Sequence, residues 1–154
     1  IIMDHLGEEE ELEVVRTTTG ILDPEFKHTV TGPDLVAFQR LVRTVPVPDA
    51  AMRYAVNLVR TTRPSPNGDS PDFINKWVAF GASVRAAQYL ILGGKARAIT
   101  KGRYNVSFED IRALAHPVLR HRILTNFHAE SEGVTTGDLV DQLLEAVPVP
   151  SSGL

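Results

Sequence analysis

Helix start and stop signals recur along this chain, and they constrain its fold more than any other feature. Thr31-Gly32-Pro33-Asp34 has the form of an N-cap with Pro in the first turn and an acid at the third position. Behind it, Leu35, Phe38, Leu41 and Val42 recur at helical spacing. Val45-Pro46-Val47-Pro48 breaks that helix. Another begins near Pro48 and Asp49, carries Met52, Ala55, Val56 and Val59 on one face, and ends before Arg63-Pro64. Ser83 is placed to cap a long helix running to about Lys101, which Gly102 stops. Ser107-Phe108-Glu109-Asp110 has the form of a capping box. Ile111, Leu114 and Ala115 then face inward, and Pro117 interrupts. Thr135 opens a last helix with Leu139, Val140, Leu143, Leu144 and Val147 as its buried stripe, and Pro148 and Pro150 end it.

Weaker signals fill the gaps. Glu8 to Arg16 is rich in helix formers, with acids in its first turn where they complement the macrodipole. Residues 63–71 hold three prolines and an Asn-Gly pair, which makes them a loop, expected to separate two packed halves. Phe73 to Phe80 reads as a short helix bearing the only tryptophan, Trp77. Gly93 and Gly94 sit inside the long helix at a cost of about 1 kcal/mol each relative to Ala, which suggests close approach by a neighbour. Arg122-Ile123-Leu124-Thr125 suits an extended segment, with Val45–Val47 as its expected partner. The fold class expected is all-α, about six helices in a bundle, with at most one short two-stranded β pairing.

Composition bounds the function. A chain of 154 residues, 43% apolar and 23% charged, suits one ordinary globular domain. A net charge of −3 speaks against a general nucleic-acid binder. The absence of cysteine excludes disulfides, thiolate metal sites and a cysteine nucleophile. No apolar run is long enough to span a bilayer, so neither a membrane nor a nucleic acid is expected as partner, and a cytoplasmic location fits. The chain opens on Ile1-Ile2-Met3-Asp4-His5, which lacks the form of a signal peptide and fits a piece cut from something longer.

Charge is unevenly placed. Residues 1–25 hold eight acids against one base, whereas residues 85–122 hold eight bases against Glu109 and Asp110. A basic middle in an acidic chain points to a local anion such as a phosphate, or to a solvated helix face. Motifs narrow the choice. Gly93-Gly94-Lys95 fails as a phosphate loop, because Tyr89 stands where Gly is needed and Ala96 where Ser or Thr is needed. His5, His28, His116, His121 and His128 lack metal-site spacing, and no G-x-S-x-G elbow occurs.

The informative stretch is Gly81-Ala82-Ser83-Val84-Arg85-Ala86. An arginine in the first turn of a helix adds positive charge where the macrodipole already supplies it. An anion there would reconcile the two, with backbone N–H groups and a guanidinium converging on phosphate oxygens. The other reading is a surface arginine paired to a nearby carboxylate.

At this point the sequence resembles a known family. Phe73-Ile74-Asn75-Lys76-Trp77-Val78, Gly81 to Ala86, Gly102-Arg103-Tyr104, Val106 to Arg122 and Glu130 to Gly133 resemble the C-terminal lid of MoxR-type AAA+ ATPases. Glu9 to Gly20 resembles the stretch where that family's α/β core gives way to the lid. The resemblance implies residues 1–7 as the end of the core, 8–150 as the helical lid and 151–154 as a tail. It implies that Arg85 is the sensor 2 residue, reaching the terminal phosphates of ATP, with Gly81 and Ser83 in the same nucleotide-binding segment. Val84 departs from the family's usual Pro before this arginine, which leaves its placement less fixed. ATP and Mg2+ are implied for a full-length parent, with the magnesium bound elsewhere. Neighbouring subunits in a ring, taken as a hexamer, and a von Willebrand factor A domain protein are the implied partners in chaperone-like work. The phosphate loop, the magnesium-binding acids and the arginine finger lie upstream in the family, so this stretch alone is expected not to hydrolyse ATP. The rival readings are a stand-alone helical protein-interaction module and a helical DNA-binding module using residues 85–122.

Overall fold

The computed structural model describes residues 5–21, 27, 29–65, 67–68 and 70–150. Residues 1–4 of the expected core end, His28 and the 151–154 tail lie outside them. The chain divides into two compact units, residues 1–36 and 37–154.

The first unit contains α1 (Glu8–Thr18), with Glu8 to Glu11 in its first turn and no buried residue. Glu10 accepts a hydrogen bond from the Gly7 N–H at 3.0 Å, closing the helix start. Helix α2 (Gly32–Thr44) begins in this unit. Its expected cap is formed, with Thr31 donating N–H and hydroxyl bonds to Asp34 at 3.0 and 2.5 Å.

The second unit continues with α3 (Asp49–Thr61), α4 (Asp72–Trp77), β1 (Val78–Phe80) and α5 (Val84–Thr100). After these come α6 (Phe108–Ala113), α7 (Ala115–Leu119), β2 (Leu124–Thr125), α8 (Phe127–Glu132) and α9 (Thr136–Ala146). The core lies where α5 meets α3, α6 and α7, with α9 closing it against α3 and α7. Leu58, Leu90, Ile111, Leu119, Leu139 and Leu143 are fully buried there. The two interior glycines let α5 approach its neighbours. A Cβ at Gly93 would lie 2.8 Å from a Leu114 methyl, and one at Gly94 would lie 3.0 Å from a Val106 methyl.

The structure is mostly helical with one two-stranded antiparallel sheet. It shows nine helices among the described residues where about six were expected. The helix breaks at Leu114, between α6 and α7, and Pro117 then falls in the first turn of α7, where a missing N–H is tolerated. Helix α8 went unread; Asn126 caps it, its Oδ1 accepting from the Ala129 N–H at 3.1 Å.

The strand expectation needs correction. Leu124–Thr125 is extended, but it pairs with Val78–Phe80, not with Val45–Val47. That stretch spends its backbone groups elsewhere: the Val45 N–H donates to Val42 O at the end of α2, and Pro46 O accepts the Val106 N–H at 3.3 Å. The helix expected over 73–80 stops at Trp77, where Val78 turns extended and Val78–Phe80 forms β1. The Asn126 N–H and side-chain amide then tie the ribbon to Trp77 O and Lys76 O at 3.0 and 2.8 Å. The loop over 63–71 joins α3 to α4 within one unit, because α3 and α5 share a core across it.

Candidate functional site

The start of α5 is set from behind by the end of α3. Thr62 follows α3 and is completely buried. Its hydroxyl donates to Val59 O at 2.7 Å and accepts the Ala82 N–H at 2.8 Å. Arg63 Nε donates to Ala82 O at 2.9 Å. Gly81 lies so close to this corner that a Cβ there would sit 2.4 Å from Thr62 O and 2.7 Å from Arg63 Cα. The small residue is needed for that close approach, a packing reason that sequence alone did not supply. Ser83 occupies the N-cap position in extended conformation (φ −82°, ψ 171°), yet its side chain makes no capping bond.

Gly81, Ser83 and Arg85 thus lie on one short segment that turns into α5. Ser83, Val84 and Arg85 are exposed. Arg85 has no hydrogen-bond or ion-pair partner among the described residues, so the alternative of a carboxylate-paired surface arginine finds no carboxylate there. Helices α1, α2, α3 and α9 each carry an acid in the first turn, and α5 carries none. The positive end of its macrodipole and the guanidinium therefore reinforce each other. An open groove of about 620 Å³ runs along this face of α5. Met52, Val56 and Leu92 give it apolar lining, Arg43, Arg85 and Lys95 line it as cations, and no acid does.

Of the other bases in residues 85–122, Lys101 and Arg120 are also exposed and without a side-chain partner among the described residues, and the rest have work within the fold. Arg103 grips the Asp110 carboxylate with both terminal nitrogens, and Arg97 bonds Asp110 at 2.6 Å and Glu109 at 3.0 Å. Burial pushes the fully buried Asp110 carboxyl up, but hydrogen bonds from Arg103, Ser107 and Arg97 outweigh it and hold the group well below the usual carboxylate range. Arg112 donates to Tyr54 Oη and Leu144 O. Arg122 donates to Val118 O and lies over the Tyr89 ring. Lys95 donates to Arg43 O at 2.9 Å. Sequence reasoning read Asp110 as a helix cap and missed it as an ion-pair hub; the two arginines within reach were the available signal.

Among the described residues no group of three His, Asp or Glu side chains could hold a metal ion. No helix among them is long and apolar enough to cross a membrane. His116 pairs with Asp141 at 2.8 Å.

Comparison with known proteins gives concordant results. The AAA lid domain family matches residues 74–143. The chain is 30% identical over 142 residues to chaperone MoxR1 of Mycobacterium tuberculosis, covering 92% of this chain and 37% of that protein. It is 31% identical over 135 residues to protein MoxR of Methylorubrum extorquens, covering 85% of this chain and 37% of that one. A crystal structure from Cytophaga hutchinsonii, of a protein there proposed to be an ATPase, superposes with a TM-score of 0.79 at 29% identity. That match covers 97% of this chain and 45% of the other. The chain thus spans less than half the length of the relatives it matches.

Proposed function

We propose, from the premise that this chain belongs to the MoxR-type AAA+ family and carries its lid, that Arg85 senses the terminal phosphates of bound ATP. The observation that carries the reading is the unpartnered guanidinium in the acid-free first turn of α5. Two positive features converge there with nothing in the described residues to neutralise them, which suits an anion delivered from outside. Residues 8–150 act as the lid and 1–7 as the end of an α/β core that holds the nucleotide. Arg85 neutralises charge developing on the γ-phosphate, and the backbone of Gly81 and Ser83 directs the N–H groups of the first turn at the same oxygens. Lid movement then couples hydrolysis to chaperone-like remodelling of clients in the cytoplasm. Neighbouring subunits in a hexameric ring and a von Willebrand factor A domain protein are the partners this role implies. ATP and magnesium serve the complete machine, with magnesium held by residues other than those described.

The reading is tested by ATP turnover. The complete gene product hydrolyses ATP, and Arg85→Ala lowers kcat about a hundredfold, the scale of losing one charge-stabilising donor, with folding near normal. Undiminished turnover in Arg85→Ala removes Arg85 from the mechanism. The 154-residue chain by itself gives no turnover above that of a mock purification, and a clear rate from it overturns the division of labour.

A further inference from the structure

We propose that Thr62 is the positioning residue for Arg85, an inference that rests on the nucleotide reading above. A helix start is ordinarily fixed by its N-cap side chain, and Ser83 makes no such bond. The direction of the first turn of α5 is instead set one residue earlier. Ala82 is held at its N–H by the Thr62 hydroxyl and at its C=O by Arg63 Nε. The Thr62 hydroxyl is itself fixed, donating to Val59 O within α3. It is fully buried, so losing it leaves the Ala82 N–H facing an apolar methyl with no water to replace the bond.

The corner is anchored further along the chain. Ser70 Oγ donates to Arg63 O at 2.6 Å, the Ser65 N–H donates to Asn75 Oδ1 at 2.9 Å, and Asn75 Nδ2 donates to Ser70 O at 3.2 Å. The loop after α3 and the start of α4 thereby hold Thr62 and Arg63 against Gly81 and Ala82. Val84 stands directly before Arg85 and makes no capping contact of its own. A guanidinium reaches about 7 Å from its Cα, so a tilt of about ten degrees at the helix start moves it by about 1 Å. Misplacement on that scale at a reacting group costs up to about a hundredfold in rate.

The test is a double-mutant cycle in the complete gene product, with ATP turnover as the readout and circular dichroism as the check on folding. Thr62→Val keeps the shape and removes the hydroxyl. It lowers kcat about tenfold, Thr62→Ser restores most of the loss, and Thr62→Val has little further effect once Arg85 is alanine. Arg63→Met, an exposed change that spares the fold, gives a smaller loss with the same dependence on Arg85. A Thr62→Val loss of equal size with and without Arg85 shows a general structural role and overturns the proposal, as does no loss at all. If Arg85→Ala alone leaves turnover intact, the nucleotide reading fails and this inference fails with it. If Arg85→Ala is slow while Thr62→Val is not, only the positioning inference fails.

Discussion

Replacing Asp110 by Asn removes a charge from the most heavily bonded side chain among the described residues. The carboxylate is fully buried, takes three bonds from Arg97 and Arg103, and accepts the Ser107 N–H at 2.9 Å. Deleting one charge of a buried pair costs about 3 to 5 kcal/mol when the partner is left dry. Here the Arg97 and Arg103 side chains stay 25% and 34% exposed, so water recovers part of the loss and about 2 to 3 kcal/mol remains. The folded carboxyl titrates below its unfolded value of about 3.9, so its contribution is fully present above about pH 5 and is lost as pH falls toward the folded value. Urea unfolding followed by Trp77 fluorescence therefore shows the full deficit of Asp110→Asn at pH 7. At pH 3 the deficit is narrower by about 1 kcal/mol, because only the parent protein has that proton to take up on unfolding. A deficit under about 0.5 kcal/mol at pH 7, or one that does not narrow at pH 3, refutes the argument that a charge and not mere shape holds α5 to α6.

Two further substitutions probe the frame of the site. Gly81→Ala places a methyl 2.4 Å from Thr62 O and costs about 2 kcal/mol or more by overpacking. Thermal unfolding reads this, and an unchanged midpoint shows that the corner yields freely. Asn126→Ala removes both the cap of α8 and the bond to Lys76 O, costing about 1 to 2 kcal/mol in urea unfolding; a loss of only a few tenths means that the ribbon does not depend on Asn126.

Three helix starts were legible because they are local chemistry. Thr31 with Asp34, Ser107 with Asp110 and Thr135 with Asp138 form reciprocal caps within four residues, and each is made. The ribbon was not legible, because which strand Leu124–Thr125 joins is decided by a partner 44 to 47 residues away in sequence. At the site, Arg85 stood out in sequence through its conflict with the helix dipole. The bond that holds the start of α5 did not, since nothing about a threonine followed by Arg63-Pro64 announces a buried hydroxyl serving a backbone 20 residues later. Part of the basic stretch is spent inside the fold: Arg97 and Arg103 share Asp110, a contact that folding alone reveals.

The central claim is a contact, so the most direct measurement is a structure of the complete gene product with a non-hydrolysable ATP analogue. The Arg85 guanidinium is expected within about 2.7 to 3.0 Å of an oxygen on the terminal phosphate. A terminal phosphate held wholly by other groups, with the Arg85 guanidinium turned into solvent, contradicts it.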